Sequence, residues 1–426
     1  MTPYSVLFAL LFLLHLALRL WLGARQVRYV GGRAGAVPAP FAASISLPDH
    51  QRAARYTIAK QRLAAAETVA DAVLFLALCW GGGLQWIGDR LFALWLPSTP
   101  GLGAEFALVA AVVALQALVD LPFDWIRRFR IEQSFGFNRM TRAMFLADFA
   151  KTALLGAVIG TPLLLAVLAL MRGGGPLWWL GAWACWAVFS LGLTVLYPIL
   201  IAPLFNRFTP LSDPLLRRRI ADLLQRTGFR DSGVFTMDGS RRSSHGNAYF
   251  TGLGAAKRIV FYDTLVQRLL PDEIEAVLAH ELGHFRLHHV TRHLLTGLAL
   301  SLAWLALLGW LLTQDWFAAS LGVALPAGTP RSGLTLVLFA LLLPQLSFVL
   351  APLRSAYSRK HEYEADAFAA SHASATSLVC ALVKLYQDNA ATLTPDPLHS
   401  AFYDSHPPAA LRIARLTRIA PAAATP

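Results

Sequence analysis

Seven stretches of the chain are apolar over the length of a bilayer-spanning helix, at about 4–24, 69–97, 102–122, 150–171, 177–204, 294–313 and 333–353. A hydrocarbon core of about 30 Å takes roughly 20 such residues in a helix, so the pattern predicts seven transmembrane helices. The polar positions between them are unevenly charged. Segments 25–66, 123–149, 205–293 and 354–426 are rich in Arg and Lys, whereas 98–101, 172–176 and 314–332 hold only Arg172 and Arg331 as basic residues. Basic loops stay on the cytoplasmic side. This places the N-terminus outside (periplasmic) and the C-terminus in the cytoplasm, as an odd number of spans also requires. Arg19, Arg25, Arg28 and Arg33 follow the first apolar run rather than precede it, so that run reads as a retained span and not as a signal peptide.

Two polar segments, 205–293 and 354–426, are too long to be connectors. They lie on the same face and can build one globular unit there. The expected organisation is therefore spans one to five in 1–204, half of a catalytic unit in 205–293, two more spans in 294–353, and the other half with the tail in 354–426. Composition agrees with a membrane protein: 56% hydrophobic and 15% charged residues, against about 45–50% and 25% in soluble domains. Net charge is 37 − 25 = +12, which the cytoplasmic loops absorb without a nucleic-acid partner. Cys79, Cys185 and Cys380 form no CxxC pair, which argues against a disulfide scaffold or a cysteine zinc site. His15, Asp71, Asp89, Gln116, Asp120 and Gln345 fall inside spans. They line a hydrated cavity or bond helix to helix, and both readings stand. Trp21, Trp95, Trp178, Trp179 and Trp316 sit at span ends and suit interfacial belts.

The strongest local signal is His280-Glu281-Leu282-Gly283-His284, inside PDEIEAVLAHELGHFRLHH. Pro271 suits a first helical turn, Asp272, Glu273 and Glu275 complement the N-terminal dipole, and Ile274, Val277, Leu278 and Leu282 recur at helical spacing. Residues four apart share a face, so His280 and His284 can chelate one ion. Glu281 then sits beside the first ligand, placed to act as a base toward water at that ion. A catalytic zinc takes three protein ligands and keeps one position open. Glu362 and Asp366, four apart in Ser358–Phe368, are candidates: one carboxylate to bind the metal, the other to orient a histidine or arginine. Spacing does not rank them, and it points Glu364 elsewhere. Asn247-Ala248-Tyr249-Phe250 alternates as a strand, with Lys257–Tyr262 as a second; an extended substrate could pair with such an edge, or the edge is bare. His288, His289 and His293 read as a basic, interface-facing stretch and not as a second metal site. His361 is turned about 100° from Glu362 on a helix, and His245 receives no role.

With HELGH, the blocks Ile131–Asn138 (IEQSFGFN), Pro203–Leu211, His245–Gly252 (HGNAYFTG), Ser358–Tyr363 (SRKHEY) and Ser405–Pro408 (SHPP) occur in one order along the chain. In these residues the chain resembles the type I CAAX prenyl endopeptidases, seven-span integral-membrane zinc metalloproteases of the gluzincin class. The resemblance implies seven long helices around a large water-filled chamber, capped on the cytoplasmic side by a zincin-like α+β unit with a small sheet. It implies one Zn²⁺ per chain held by His280, His284 and Glu362, with Glu281 as general base and Asp366 orienting a ligand. His406 is expected at the oxyanion and Arg412 near Asp366 and the substrate.

The function implied is removal of the last three residues of prenylated CAAX proteins by a monomer in contact with membrane lipid. Short loops, Arg-, Ala- and Leu-rich composition and no retention tail look bacterial, which suggests an inner-membrane location. Since bacteria generally lack prenylated proteins, a quality-control protease with other substrates is the alternative. A transporter or lipid-binding scaffold with structural zinc is the alternative from another class.

Overall fold

The computed structural model describes residues 2–95, 101–229, 233–251, 258–324 and 331–419. Most of loop 98–101, Lys257, Gly252 and the side chains of Trp95 and Phe250 lie outside the described residues.

The membrane part comprises α1 (Pro3–Gly32), α2 (Leu47–Leu78), α3 (Gly83–Trp95), α4 (Leu102–Ile126), α5 (Arg142–Gly173), α6 (Trp178–Leu196) and the short α7 (Ala202–Phe205). It then resumes after the first polar segment. That segment holds β1 (Phe208–Pro210), α8 (Pro214–Arg226), β2 (Val234–Met237), β3 (Ala248–Thr251), β4 (Arg258–Tyr262), α9 (Asp263–Arg268) and α10 (Pro271–Arg286). Next come α11 (His289–Leu312), α12 (Asp315–Ser320), α13 (Ser332–Phe348) and α14 (Ala351–His372). The chain closes with α15 (Ala375–Asp388), α16 (Pro397–Tyr403) and α17 (Ala409–Ile419).

Five helices are long and apolar enough to cross a membrane. The count reaches seven when α2 with α3, bent by 54°, and α13 with α14, bent by 60°, are each taken as one span. Among the described residues each apolar window of the sequence coincides with one of these helices or bent pairs, and several helices run on past it. α2 begins at Leu47, and its first five turns carry Asp49, Arg52, Arg55, Lys60 and Arg62. A hydropathy pattern marks only the part of a helix that meets lipid, not the polar extension beyond it. α14 behaves likewise: from Arg354 onward its polar residues stand outside the span.

In the five unbroken spans only 11–22% of each apolar window is buried within the protein. A cavity of about 360 Å³ is lined by Phe12, Phe75 and Val112 together with His15, Asp71, Gln116 and Gln345. It shares His15, Arg19 and Pro344 with a cleft of about 840 Å³ that reaches Ser405 and His293. Both readings of the intramembrane polar residues therefore hold at once. Gln116 lines the cavity and also donates to Asp71 at 3.2 Å and Asp120 at 3.0 Å. Asp89 instead accepts from Gln85 on its own helix at 2.8 Å. Among the tryptophans, Trp178 is buried and Trp316 stacks on Tyr4 with ring centroids 4.1 Å apart. These two pack against neighbouring helix ends.

Outside the membrane, a four-stranded sheet has the order β1-β2-β4-β3. β2 and β4 are parallel, and β3 runs antiparallel to β4 at the edge, Ala248 opposite Phe261 and Tyr249 opposite Val260. One apolar core serves both polar segments: Leu216, Ile220 and Leu223 of α8, Phe261, Leu278 and Leu282 meet Ala369, Leu378 and Leu416 from the far end of the chain. Burying each large side chain contributes about 1.5–3 kcal/mol, so the distant segments are held as one body. The start of α10 is pinned as well. Glu273 accepts from the Leu270 backbone N–H at 2.7 Å and from Lys384 Nζ at 2.6 Å, while Ser377 donates to Asp272 at 2.8 Å. Arg25, on the extension of α1, closes the ring by donating to the buried Asp396 at 2.8 Å.

α10 crosses α14 at Gly283, where the backbones approach so closely that a Cβ would stand 3.1 Å from Ala365 Cα and Phe368 Cβ. Two helix backbones must separate to accept a branched side chain there. Gly283→Val should therefore lower thermal stability by about 1–3 kcal/mol and weaken metal binding, as read by thermal unfolding and zinc titration. Unchanged values in both would show that the crossing does not set the spacing of the two helices.

Candidate metal centre

α10 presents His280 and His284 one turn apart, and α14 presents Glu362 across the Gly283 crossing. His280 Nε2 and His284 Nε2 are 3.2 Å apart. Glu362 Oε2 lies 3.5 Å from the first and Oε1 3.3 Å from the second. Bonds of about 2.0–2.1 Å to a tetrahedral zinc put ligand atoms about 3.3–3.4 Å apart. The contacts between neighbouring donor atoms are thus close to the spacing of ligands around one tetrahedral ion. Glu362 is 5% exposed, and its Oε2 is buried with no hydrogen-bond partner. A carboxylate oxygen so placed costs free energy unless a cation meets it. Two imidazoles and a carboxylate are also the donor set of a known class of catalytic zinc sites, so these residues fit the metal.

The electrostatics favour positive charge. Burial opposes ionisation of Glu362, but His280 and His284 outweigh it and hold the carboxyl well below the usual carboxylate range. Burial and Arg412 press the His280 imidazole down; Asp366 and Glu362 overcome them and raise it to about 9. Glu281 follows His280 on α10, turned by about 100° out of the ligand direction. Burial pushes its carboxyl up while the two imidazoles pull it down. That upward shift suits a group that must both take and return a proton.

Asp366, one turn beyond Glu362, accepts from His280 Nδ1 at 2.9 Å. Arg412, in the first turn of α17, donates to both oxygens of Asp366 at 2.7 Å and lies 3.7 Å from Glu362. Asp366 and Arg412 are 1% and 5% exposed. Burial works against the Asp366 charge, and His280 with Arg412 keeps its carboxyl low nonetheless. His406 stands 3.5 Å from Glu362 with its side chain 63% exposed. β3 lies against α10, with Ala248 buried beside Leu278 and Leu282. The backbone N–H of Tyr262 donates to Asn247 O at 3.0 Å, and Tyr249 rests edge-on to Tyr262 at 6.3 Å.

Several residues passed over in the sequence support this arrangement. Arg359 donates to the carbonyls of Ser400 and Asp404 at 3.2 and 2.9 Å, fixing the loop that carries His406. His245 bonds Glu132 at 3.3 Å and Asn389 at 3.0 Å and stacks on Phe137 at 4.3 Å. It joins the IEQSFGFN turn to the soluble unit. One reading needs correcting. His289 does not face an interface: it is 1% exposed, with Nδ1 3.1 Å from His284 Nδ1. Glu364 points away from the ligand triangle but receives His289 Nε2 at 2.9 Å.

A ligand triangle of this kind, seated at one end of a multi-span helix bundle, defines the chain as an integral-membrane metallopeptidase. Comparison with known proteins gives the particular family. Residues 26–207 match the family described as CAAX prenyl protease N-terminal, five membrane helices, and residues 210–420 match peptidase family M48. An Arabidopsis thaliana protein named CAAX prenyl protease 1 homolog is 34% identical over 88% of this chain and 89% of its own. The Saccharomyces cerevisiae CAAX prenyl protease 1 is 36% identical over 71% and 70%. The crystal structure of S. mikatae Ste24p superposes with a TM-score of 0.88 at 28% identity, covering 98% of this chain and 99% of that one. The chain belongs to peptidase family M48: it is a membrane zinc metalloprotease acting on a protein or peptide.

Proposed function

We propose that this protease removes the C-terminal tripeptide of prenylated CAAX proteins. His280, His284 and Glu362 hold one Zn²⁺ per chain, and the catalytic unit built from 205–293 and 354–426 faces the cytoplasm. The observation that carries this reading is the meeting of three ligand residues from two distant segments, with neighbouring donor atoms 3.2–3.5 Å apart. When bound, zinc acidifies water and polarises the scissile carbonyl. Glu281 takes the proton of the attacking water and delivers it to the leaving amine. Asp366, clamped by Arg412, keeps the His280 Nδ1–H engaged so that Nε2 is free to ligate. His406 donates to the oxyanion. The substrate backbone pairs with the outer edge of β3, at Asn247, Ala248, Tyr249 and Phe250. A lipid-modified substrate is supported by the 360 Å³ cavity, whose lining is mostly apolar although His15, Asp71, Gln116 and Gln345 also face it, and which adjoins the cleft that reaches Ser405.

The test is cleavage of a fluorogenic peptide ending in a CAAX sequence, with and without a farnesyl group on the cysteine. Chelator-sensitive release of the tripeptide, with kcat/KM at least about 10-fold higher for the farnesylated form, is expected; one CH₂ group buried from water is worth about 0.8 kcal/mol. Equal rates for both forms would remove the prenyl specificity and leave a general membrane protease.

A further inference from the structure

His284 and His280 are held differently. His280 Nδ1 meets a carboxylate directly, 2.9 Å away at Asp366. His284 Nδ1 meets another imidazole: His289 Nδ1 lies 3.1 Å from it, and His289 Nε2 lies 2.9 Å from Glu364 Oε2. With His284 Nε2 kept free to ligate, one proton arrangement satisfies both contacts. His284 carries its proton on Nδ1 and donates it to His289 Nδ1; His289 carries its own on Nε2 and donates it to Glu364. His284 Nε2 is left with a bare lone pair, directed to His280 and Glu362.

The backbone is bent to make this possible. On an unbroken helix, His289 would point about 140° away from His284. α10 ends instead, and His288 adopts φ 59°, ψ 26° before α11 begins. Left-handed backbone is uncommon without glycine, and histidine is among the residues that tolerate it. Such conformations persist where the surroundings over-determine them, which is commonest at functional sites. Here the break returns the ring of His289 beneath that of His284. His361 then walls the ring in, stacked at 4.0 Å with planes 10° apart.

His289, His361 and Glu364 also have the composition of a metal site. The ring geometry argues against one. An imidazole lone pair lies in the plane of its ring, and no single ion can lie in two near-parallel planes stacked at 4.0 Å. Both nitrogens of His289 are moreover engaged by His284 and Glu364.

We infer that His289 and Glu364 are positioning residues for the zinc ligand His284, a second orienting arm parallel to Asp366 on His280. This rests on His284 being a ligand. α14 then supplies three carboxylates with separate tasks: Glu362 on the metal, Asp366 behind one histidine, and Glu364 behind the other through an imidazole. Partners of this kind fix tautomer and ring orientation, and their loss typically weakens metal affinity by about 10- to 100-fold.

The test measures zinc affinity of the detergent-solubilised full-length protein by chelator competition, and the visible spectrum of the cobalt-substituted form. His289→Ala should raise the zinc Kd about 10- to 100-fold and shift the cobalt bands. His289→Gln, which offers an amide oxygen to His284 Nδ1–H, should recover most of both. Should His289→Ala fail to fold, Glu364→Ala serves instead, since its side chain is 34% exposed; it should weaken zinc by less, with Glu364→Gln intermediate. Wild-type affinity and an unshifted spectrum in both His289→Ala and Glu364→Ala overturn the inference. So does a wild-type stoichiometry of two zinc ions falling to one in His361→Ala. A wild type that binds no stoichiometric zinc sinks the ligand reading itself, which distinguishes that failure from this one.

Discussion

Glu281→Gln is expected to leave zinc binding intact and to cut turnover by a factor on the order of 10²–10⁴. Glu281 is adjacent to a ligand in sequence but turned from the ligand direction on α10, so losing its charge should not release the ion. Gln keeps the shape and removes the basicity. Because the lost interaction belongs to the transition state, kcat and kcat/KM should fall together. The check is steady-state kinetics beside metal analysis of the same preparation. Full activity in Glu281→Gln would require another base; loss of zinc would make Glu281 part of the metal-holding set.

Arg412→Ala should be the most damaging change outside the ligands. Arg412 forms a two-pronged pair with Asp366 and lies against Glu362, with all three side chains nearly inaccessible. Removing one partner of a buried ion pair costs about 3–5 kcal/mol, because the other charge stays buried without compensation. Two effects are expected: a large fall in thermal stability, and weaker zinc, since Asp366 is no longer fixed behind His280. Arg412→Lys should recover little, because an ammonium cannot reproduce the parallel pair of N–H donors. Zinc-dependent thermal unfolding of the three proteins decides the matter. A stability change below about 1 kcal/mol, the range of exposed pairs, would show that the Arg412–Asp366 contact is not a buried clamp.

The spans and the HELGH pair were legible in the sequence because each is a local pattern: a run of apolar residues, and two histidines at one helical turn. The meeting of Glu362 with them is not local. Spacing left Glu362 and Asp366 equivalent, and only family resemblance separated them. The structure gives the physical difference: Glu362 faces both Nε2 atoms, and Asp366 faces one Nδ1. The His289–Glu364 arm was hidden for a sharper reason. Helical periodicity placed His289 and Glu364 away from the site, and it held until His288, whose left-handed backbone no residue pattern announced. Likewise, nothing local in Ser358-Arg359 shows that the arginine braces the loop of His406. Helix lengths were underread because the extensions of α2 and α14 beyond the bilayer carry polar residues.

The most direct measurement is zinc K-edge X-ray absorption and metal content of wild type and Glu362→Ala. Wild type should hold one zinc per chain, with two histidine nitrogens, one carboxylate oxygen and one further oxygen from solvent at about 2.0–2.2 Å; Glu362→Ala should lose stoichiometric zinc. A fourth ligand from the protein in wild type, or an unchanged coordination sphere in Glu362→Ala, would contradict a hydrolytic centre assembled from α10 and α14.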